Sequence, residues 1–363
     1  MSQGIRTIAG VLADVLDDPG RLDAAVGPEV LEEVRAHLEA TAAEVGAAGG
    51  WTESEPLRLA KGSVTWLLRC PRRAVAPDEA RDERGVSDDV VLGIVVDAAA
   101  KLAALGARRP LTTAGALAYA EACGDTAAAD HLAGLDGPAV DAFLTEAASR
   151  VARVTHAWPA VEPGWWPRVE EPARVRLADG AVTVTGRLDV LLGGPPSGRP
   201  GVVVEVKGGR WYDGMRADAH LYALLVGLRD GVAPAAVVTL VADGTTQVEP
   251  IRAGFVRHAG ERLEQALRTA AGLAAGEVPE ARAGSHCAHC PVRPDCPAGT
   301  VWIAERPAPA SEPDGASGGP GPQPARTSGR RVPESGPPTP KSRPTAPGSK
   351  PSGAPATEPA VTP

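Results

Sequence analysis

No stretch of the 363 residues stays uncharged and apolar for the ~18 residues that a membrane-crossing helix needs. Residues 1–18 hold Asp14 within their apolar run and offer no small-residue cleavage site, so they do not read as a secretory signal. The chain is therefore expected to be cytoplasmic, with reduced thiols and no membrane partner. Positive charge is also lacking. The formal net charge is −8, which excludes a protein held to nucleic acid by bulk charge and leaves local basic contacts open. Aromatic residues make up only 3%, and lysines number five against 32 arginines. With alanine, glycine and proline abundant, that pattern reflects a GC-rich coding bias, so the rare residue types carry most of the information. A phosphate-cradling G-x-x-x-x-G-K-S/T loop is missing as well. ATP-driven unwinding would have to come from a helicase or nuclease-complex partner.

Apolar residues are plentiful at 43%, enough for one large or two ordinary domains. Residues 307–363 stand apart, with 16 prolines among 57 residues and only Val332 and Val361 large and aliphatic. Such a stretch buries too little apolar surface to offset its ordering entropy, and it is expected to be a disordered tail. The tail carries +2, which leaves residues 1–306 at −10. The first 150 residues read as helical, with Val30, Leu31, Val34 and Leu38 at helical spacing and a buried helix over 90–102. Beyond Trp158 the character changes to strands: 173–178, 181–190, 201–207, 235–242 and 245–251, with helices over 213–229 and 254–276. The expected fold is α/β, a central mixed sheet flanked by helices. Its parts are an N-terminal helical region over 1–60, a body over 61–306 with a helical insertion at about 88–150, and the tail.

Residues 181–190 alternate with period two. Thr183, Thr185, Arg187 and Asp189 are expected on one face, and Val182, Val184, Leu188 and Val190 on the other. After a turn over 193–200, Glu205 and Lys207 share a face with Val203 in a valine-rich strand. Neither charge belongs there unpartnered, since leaving one so costs several kcal/mol. The two strands can set Asp189 beside Glu205, and two close carboxylates repel unless a cation lies between them. Oxygen donors on a partly hydrated site suit Mg²⁺ or Mn²⁺. Lys207 on the same face can orient an attacking water or stabilise charge on a phosphorus centre. The plain alternative is an ion pair, Glu205–Lys207 or Asp189–Arg187, without chemistry. Lys61, Lys101 and Lys207 are the lysines of residues 1–306.

The segments Gly186-Arg187-Leu188-Asp189, Val204-Glu205-Val206-Lys207 and Asp218-Ala219-His220-Leu221-Tyr222 together resemble the RecB-like branch of the PD-(D/E)XK nuclease superfamily. That resemblance implies a restriction-endonuclease-like core and metal-dependent phosphodiester hydrolysis. By it, Asp189 and Glu205 are metal ligands, Lys207 the catalytic lysine, and Tyr222 the tyrosine of a helical Gln-x-x-x-Tyr. Asp218 stands where that motif has Gln. The branch also carries an upstream Gly-x-x-x-His whose His binds metal. The match is Gly93 to Asp97, with Asp in the His position, so Asp97 is either a third ligand or a polar break in an apolar helix. His131 and His156 are read as structural.

Cys287, Cys290 and Cys296 form C-x2-C-x5-C and need a fourth ligand to close a metal site. Cys70, followed by Pro71, is the natural partner. RecB-like nucleases with an iron–sulfur staple, including AddB-type and CRISPR-adaptation exonucleases, have this layout. The resemblance implies a 4Fe–4S cluster on Cys70, Cys287, Cys290 and Cys296. The rival is Zn²⁺, with His286 or His289 as fourth ligand and Cys70 free. Cys123 reads as a small core residue. Arg69, Arg72, Arg73, Arg187, Arg210, Arg216 and Asp218 are candidate contacts to nucleic acid, with Trp211 and Tyr212 able to stack on bases. Trp158, Trp165 and Trp166 are expected to pack. The reading is a DNA nuclease acting on single strands or ends, in repair, recombination or defence. The alternative is a non-catalytic nucleic-acid-binding or scaffold module that keeps the fold and the cluster.

Overall fold

The computed structural model describes residues 26–76, 87–107, 111–209, 213–243 and 245–305. The tail, Arg210, Trp211 and Tyr212 lie outside them. Contacts divide the chain into Met1–Pro307 and Ala308–Pro363, and the description below concerns the first unit. In chain order its elements are α1 (Pro28–Gly49), β1 (Leu57–Ala60), α2 (Lys61–Arg69), α3 (Pro71–Ala74), α4 (Asp88–Ala104), α5 (Thr113–Ala122), α6 (Ala127–Ala133), α7 (Gly137–Ala157), β2 (Arg168–Leu177), β3 (Val182–Gly194), β4 (Arg199–Lys207), α8 (Asp213–Asp230), β5 (Ala236–Val241), β6 (Thr246–Pro250), α9 (Ala253–Ala274) and α10 (Pro297–Glu305). No helix among the described residues is long and apolar enough to cross a membrane.

The strands form one six-stranded mixed sheet in the order β1-β3-β4-β5-β6, with β2 also paired to β3. β4 is the reason the sheet forms where it does. Val202, Val203, Val204 and Val206 are all buried, and β-branched side chains suit a strand covered on both faces. On one face, Val203 and Leu188 pack with Leu221, Leu224, Leu225 and Leu228 of α8 and with leucines and valines of α1 and α9. On the other, Val202, Val204 and Val206 pack with Val96 and Ala100 of α4 and Val154 of α7. Each such valine or leucine contributes roughly 1.5–3 kcal/mol by burial.

Five sequence expectations change here. Val190 does not share a face with Val182, Val184 and Leu188. Those three join the α8 side, whereas Val190 packs on the α4 side. The alternation breaks at Asp189. In the β2–β3 register, Glu170 lies opposite Asp189, between Val169↔Val190 and Glu171↔Leu188, and Glu170 has φ 53. The boundary at residue 60 falls inside the core, because β1 pairs with β3 and α1 packs in the same cluster as α9. The turn is short: β3 runs to Gly194 and β4 starts at Arg199. Trp158 and Trp165 are buried as expected, but Trp166 is 52% exposed. Cys123 is exposed rather than a core residue, at the C-terminal end of α5.

Candidate active site

One edge of β3 is shared by two strands. β1 runs parallel to its first part, from Leu57↔Val182 to Ala60↔Thr185. β4 runs antiparallel to its second part, with Val190↔Val204 as the pair nearest the junction. The C-terminal ends of β1 and β4 therefore point at each other across residues 186–189, where the edge of β3 has neither partner. Lys61 starts α2 directly after β1, and Glu205 and Lys207 end β4, so all three side chains are delivered to this fork. Asp189 lies at its rim, and its carboxylate accepts a 2.7 Å hydrogen bond from the Val206 backbone N–H.

Asp97 reaches the same place from α4. The approach depends on two glycines. A Cβ on Gly208, just past β4, would stand 2.2 Å from Gly93 Cα in α4, whereas a Cβ on Gly93 would meet only Gly208 Cα at 3.9 Å. Gly208→Ala must push α4 off the sheet and carry Asp97 with it. It is expected to lower stability by about 1–3 kcal/mol in thermal unfolding, with Gly93→Ala close to neutral. Tyr222 comes from α8, where Gly186 makes room for it: a Cβ on Gly186 would be 2.6 Å from Tyr222 Cε1.

The electrostatics of the fork are dominated by crowded carboxylates. Burial, then the charges of Glu205 and Asp97, push the Asp189 carboxyl up to about 8. Burial also raises Asp97 against the pull of Lys101, and Glu170 and Glu205 add to the rise. Glu205 is 1% exposed. Its Oε1 pairs with Lys207 and lies 3.5 Å from Lys61 Nζ. Lys101 pairs with both Asp97 and Glu170. Burial works against the charge of each of these lysines, but the neighbouring carboxylates outweigh it and hold all three above the ordinary lysine value. Tyr222 is pushed up by burial and then by Glu205 and Asp189.

Sequence reading named Asp97, Asp189, Glu205, Lys207, Asp218 and Tyr222, and the structure brings them to one fork. It missed Lys61, Lys101, Thr65 and Glu170. A signal existed for the lysines: every lysine of residues 1–306 is here, in a chain that otherwise uses arginine. Asp218 does not face outward to nucleic acid. Its two oxygens take Lys61 Nζ at 3.2 Å and the Thr65 hydroxyl at 2.8 Å. Arg187 is exposed and pairs with Glu170, so the Asp189–Arg187 ion pair does not form. Arg216 pairs with Glu249. His131 bonds Asp88 at 2.7 Å and packs on Phe143, which is a structural role, and His156 is exposed.

Four of the cysteines gather in a second place. Cys70, Cys287, Cys290 and Cys296 are all buried free thiols lining one small cavity with His286. A Cβ on Gly299 would touch the sulfurs of Cys287 and Cys296 at 3.5 and 3.6 Å, so those two converge. Arg72 and Arg73 belong to this cap and not to an open basic surface. Arg72 donates to the Asp295 carbonyl at 2.5 Å, and Arg73 lies 4.2 Å over the Trp66 ring, which also meets His286. Arg69 bonds the Ser285 hydroxyl at 3.0 Å.

Residues 58–297 match the PD-(D/E)XK nuclease superfamily. The chain belongs to that superfamily. None of the curated proteins matches this chain. A solved structure titled "Crystal structure of SSO0001" is 12% identical, over 67% of this chain and 86% of that one, at a TM-score of 0.30. The sheet with helices on both faces accords with the superfamily's fold. Among the described residues, no group of three or more His, Cys, Asp or Glu side chains is arranged to hold a metal ion as it stands. In the fork, Lys101 pairs with Asp97, and Lys61 and Lys207 pair with Glu205. The donor chemistry of this PD-(D/E)XK site still fits a hard divalent cation. Asp97 Oδ1 and Glu205 Oε2 are buried without a hydrogen-bond partner, beside an Asp189 that burial and like charge keep protonated.

Proposed function

We propose that this protein is a Mg²⁺- or Mn²⁺-dependent deoxyribonuclease of the RecB-like branch, acting on single strands or ends and carrying a 4Fe–4S staple. The observation that carries the reading is the pair of unpartnered buried oxygens on Asp97 and Glu205, flanking protonated Asp189 in a chain of a nuclease superfamily. Asp189, Glu205 and Asp97 would hold the divalent ion. When bound, the ion lowers the pKa of a water and neutralises phosphate charge. The chain's own groups supply the rest. Lys207, at the end of β4, donates to the water or to a phosphate oxygen and fixes the line of attack. The water's oxygen bonds to phosphorus and gives up one proton to solvent, one ester P–O bond breaks, and the departing oxygen takes up a proton from solvent. Tyr222 and Gly186 close the floor of the fork. Arg187, 75% exposed at the rim and paired with Glu170, marks the edge along which a DNA backbone would pass.

The test is cleavage of 5′- and 3′-labelled DNA, single- and double-stranded, with Mn²⁺. The native protein is expected to cut, to stop when the metal is chelated, and to yield fragments that report its polarity. Glu205→Gln is expected to be inert. A folded, metal-binding native protein that cuts nothing would support the scaffold reading instead. The pH dependence of metal binding follows from Asp189. Its carboxyl sits at about 8 in the metal-free protein, so below that the metal must displace a proton. Apparent Mn²⁺ affinity, read as free Mn²⁺ by electron paramagnetic resonance, is expected to rise up to about tenfold per pH unit from 6 to 8 and then level off.

A further inference from the structure

We infer that Lys61 is a second phosphate-contacting lysine of this site, aimed by Asp218 and Thr65. The inference rests on the metal-nuclease reading above. Lys61 is the first residue of α2, and a cation there opposes the helix dipole. Its place is explained by the fork. Lys61 Nζ lies 3.2 Å from Asp218 Oδ2, 3.5 Å from Glu205 Oε1 and 5.1 Å from the centre of the Tyr222 ring. These contacts hold the ammonium at the end of β1, where it and Lys207 from the end of β4 meet the same oxygen, Glu205 Oε1. The Lys61 side chain is 20% exposed and that of Lys207 is 21%, so both keep part of their surface open to solvent. The Lys101 side chain is 6% exposed and spent on Asp97 and Glu170.

Asp218 is fully engaged from the α2 side. Thr65, one turn after Lys61 in α2, holds its other oxygen, so α2 and α8 form a rigid bracket around the ammonium. The bracket gives Asp218 a positioning role. An ammonium is a compact point charge with three donors; one goes to Asp218 and Glu205 is a 3.5 Å ion pair, so at least one N–H remains. That N–H can donate to a non-bridging phosphate oxygen, where negative charge grows as water attacks. Lys61 donates a hydrogen bond only and transfers no proton. Two lysines flanking Glu205 would then clamp one phosphate.

The test compares Lys61→Met, Asp218→Asn and the charge-balanced double variant Lys61→Met/Asp218→Asn with native protein. Single-turnover cleavage is measured at saturating Mn²⁺, and Mn²⁺ binding separately by electron paramagnetic resonance. Cleavage by Lys61→Met is expected to fall about 100-fold with Mn²⁺ binding kept, and the double variant is expected to be as slow. Asp218→Asn alone is expected to lose about tenfold, by misaiming the ammonium. The double variant leaves no unpaired charge on α8, so it folds even if Lys61→Met does not. A double variant that regains the native rate would show that Lys61 only neutralises Asp218, and would overturn the inference. So would loss of Mn²⁺ binding in a folded Lys61→Met. Native protein that fails to cut overturns the nuclease reading itself, whereas native protein that cuts alongside an equally fast Lys61→Met overturns only the role of Lys61.

Discussion

Replacing Lys207 by Ala is expected to slow single-turnover DNA cleavage by about 100- to 1,000-fold while leaving the protein folded. The backbone of Lys207 is held by β5. It sits in register with Val241 of β5, and its carbonyl accepts a 2.8 Å hydrogen bond from Ala242. Truncating the side chain therefore does not release the strand. Nor does it strand the Glu205 charge, because Lys61 remains 3.5 Å from Glu205 Oε1. A buried carboxylate left with no partner would cost several kcal/mol, and here one partner survives. The variant separates catalysis from stability: the thermal midpoint should move little while the rate collapses. Lys207→Arg is not expected to rescue, because a planar fork replaces a compact ammonium in a slot between two strands. A Lys207→Ala protein that cuts at the native rate would reduce Lys207 to a counter-ion of Glu205.

The two strands that carry Asp189 and Glu205 were legible because β-sheet periodicity is local. Alternation in 181–190 and the β-branched run 201–207 announce themselves within ten residues, and a hairpin between them sets the register. The split of Val190 from Leu188 was not legible. It depends on Glu170, whose backbone breaks the partner strand opposite Asp189, and nothing local in 168–177 marks that position. Lys61 lies 144 positions before Glu205 and Lys101 lies 69 before Glu170, so periodicity could not join them. Only the scarcity of lysine pointed there. Arg72 and Arg73 show the opposite error. A basic pair beside a cysteine reads as a nucleic-acid contact, but the chain uses it to hold the cysteine cap, through a carbonyl and an indole ring.

The second large effect is expected at Cys70. Cys70→Ser should remove the chromophore of the staple and lower the thermal midpoint far more than Cys123→Ser, which changes an exposed thiol. Among the described residues, the hydrogen bonds between α2–α3 and the cap are few, beside the Trp66–His286 ring contact. Arg69 to Ser285, Arg72 to Asp295, Arg282 to the Leu68 carbonyl and the Arg72 N–H to the Glu280 carbonyl are hydrogen bonds, three of them by exposed or half-buried guanidinium groups. At about 0.5–1.5 kcal/mol each they sum to a few kcal/mol. A metal centre closed by Cys70 would stabilise the join more than these bonds do, because binding energy in such sites is folding energy. It would join residue 70 to residues 287–296, and so clamp α2 and the Lys61 it carries against the rest of the domain. The native protein, purified without oxygen, is expected to be brown and to contain about four irons and four acid-labile sulfides per chain. Zinc in a colourless native protein would keep the staple and reject the cluster. Full metal content and an unchanged midpoint in Cys70→Ser would instead make His286, which lines the same cavity, the fourth ligand. Because Cys70 ends the helix that begins with Lys61, loss of the staple should also slow cleavage. In that variant Mn²⁺ binding should survive, since Asp97, Asp189 and Glu205 are carried by α4, β3 and β4.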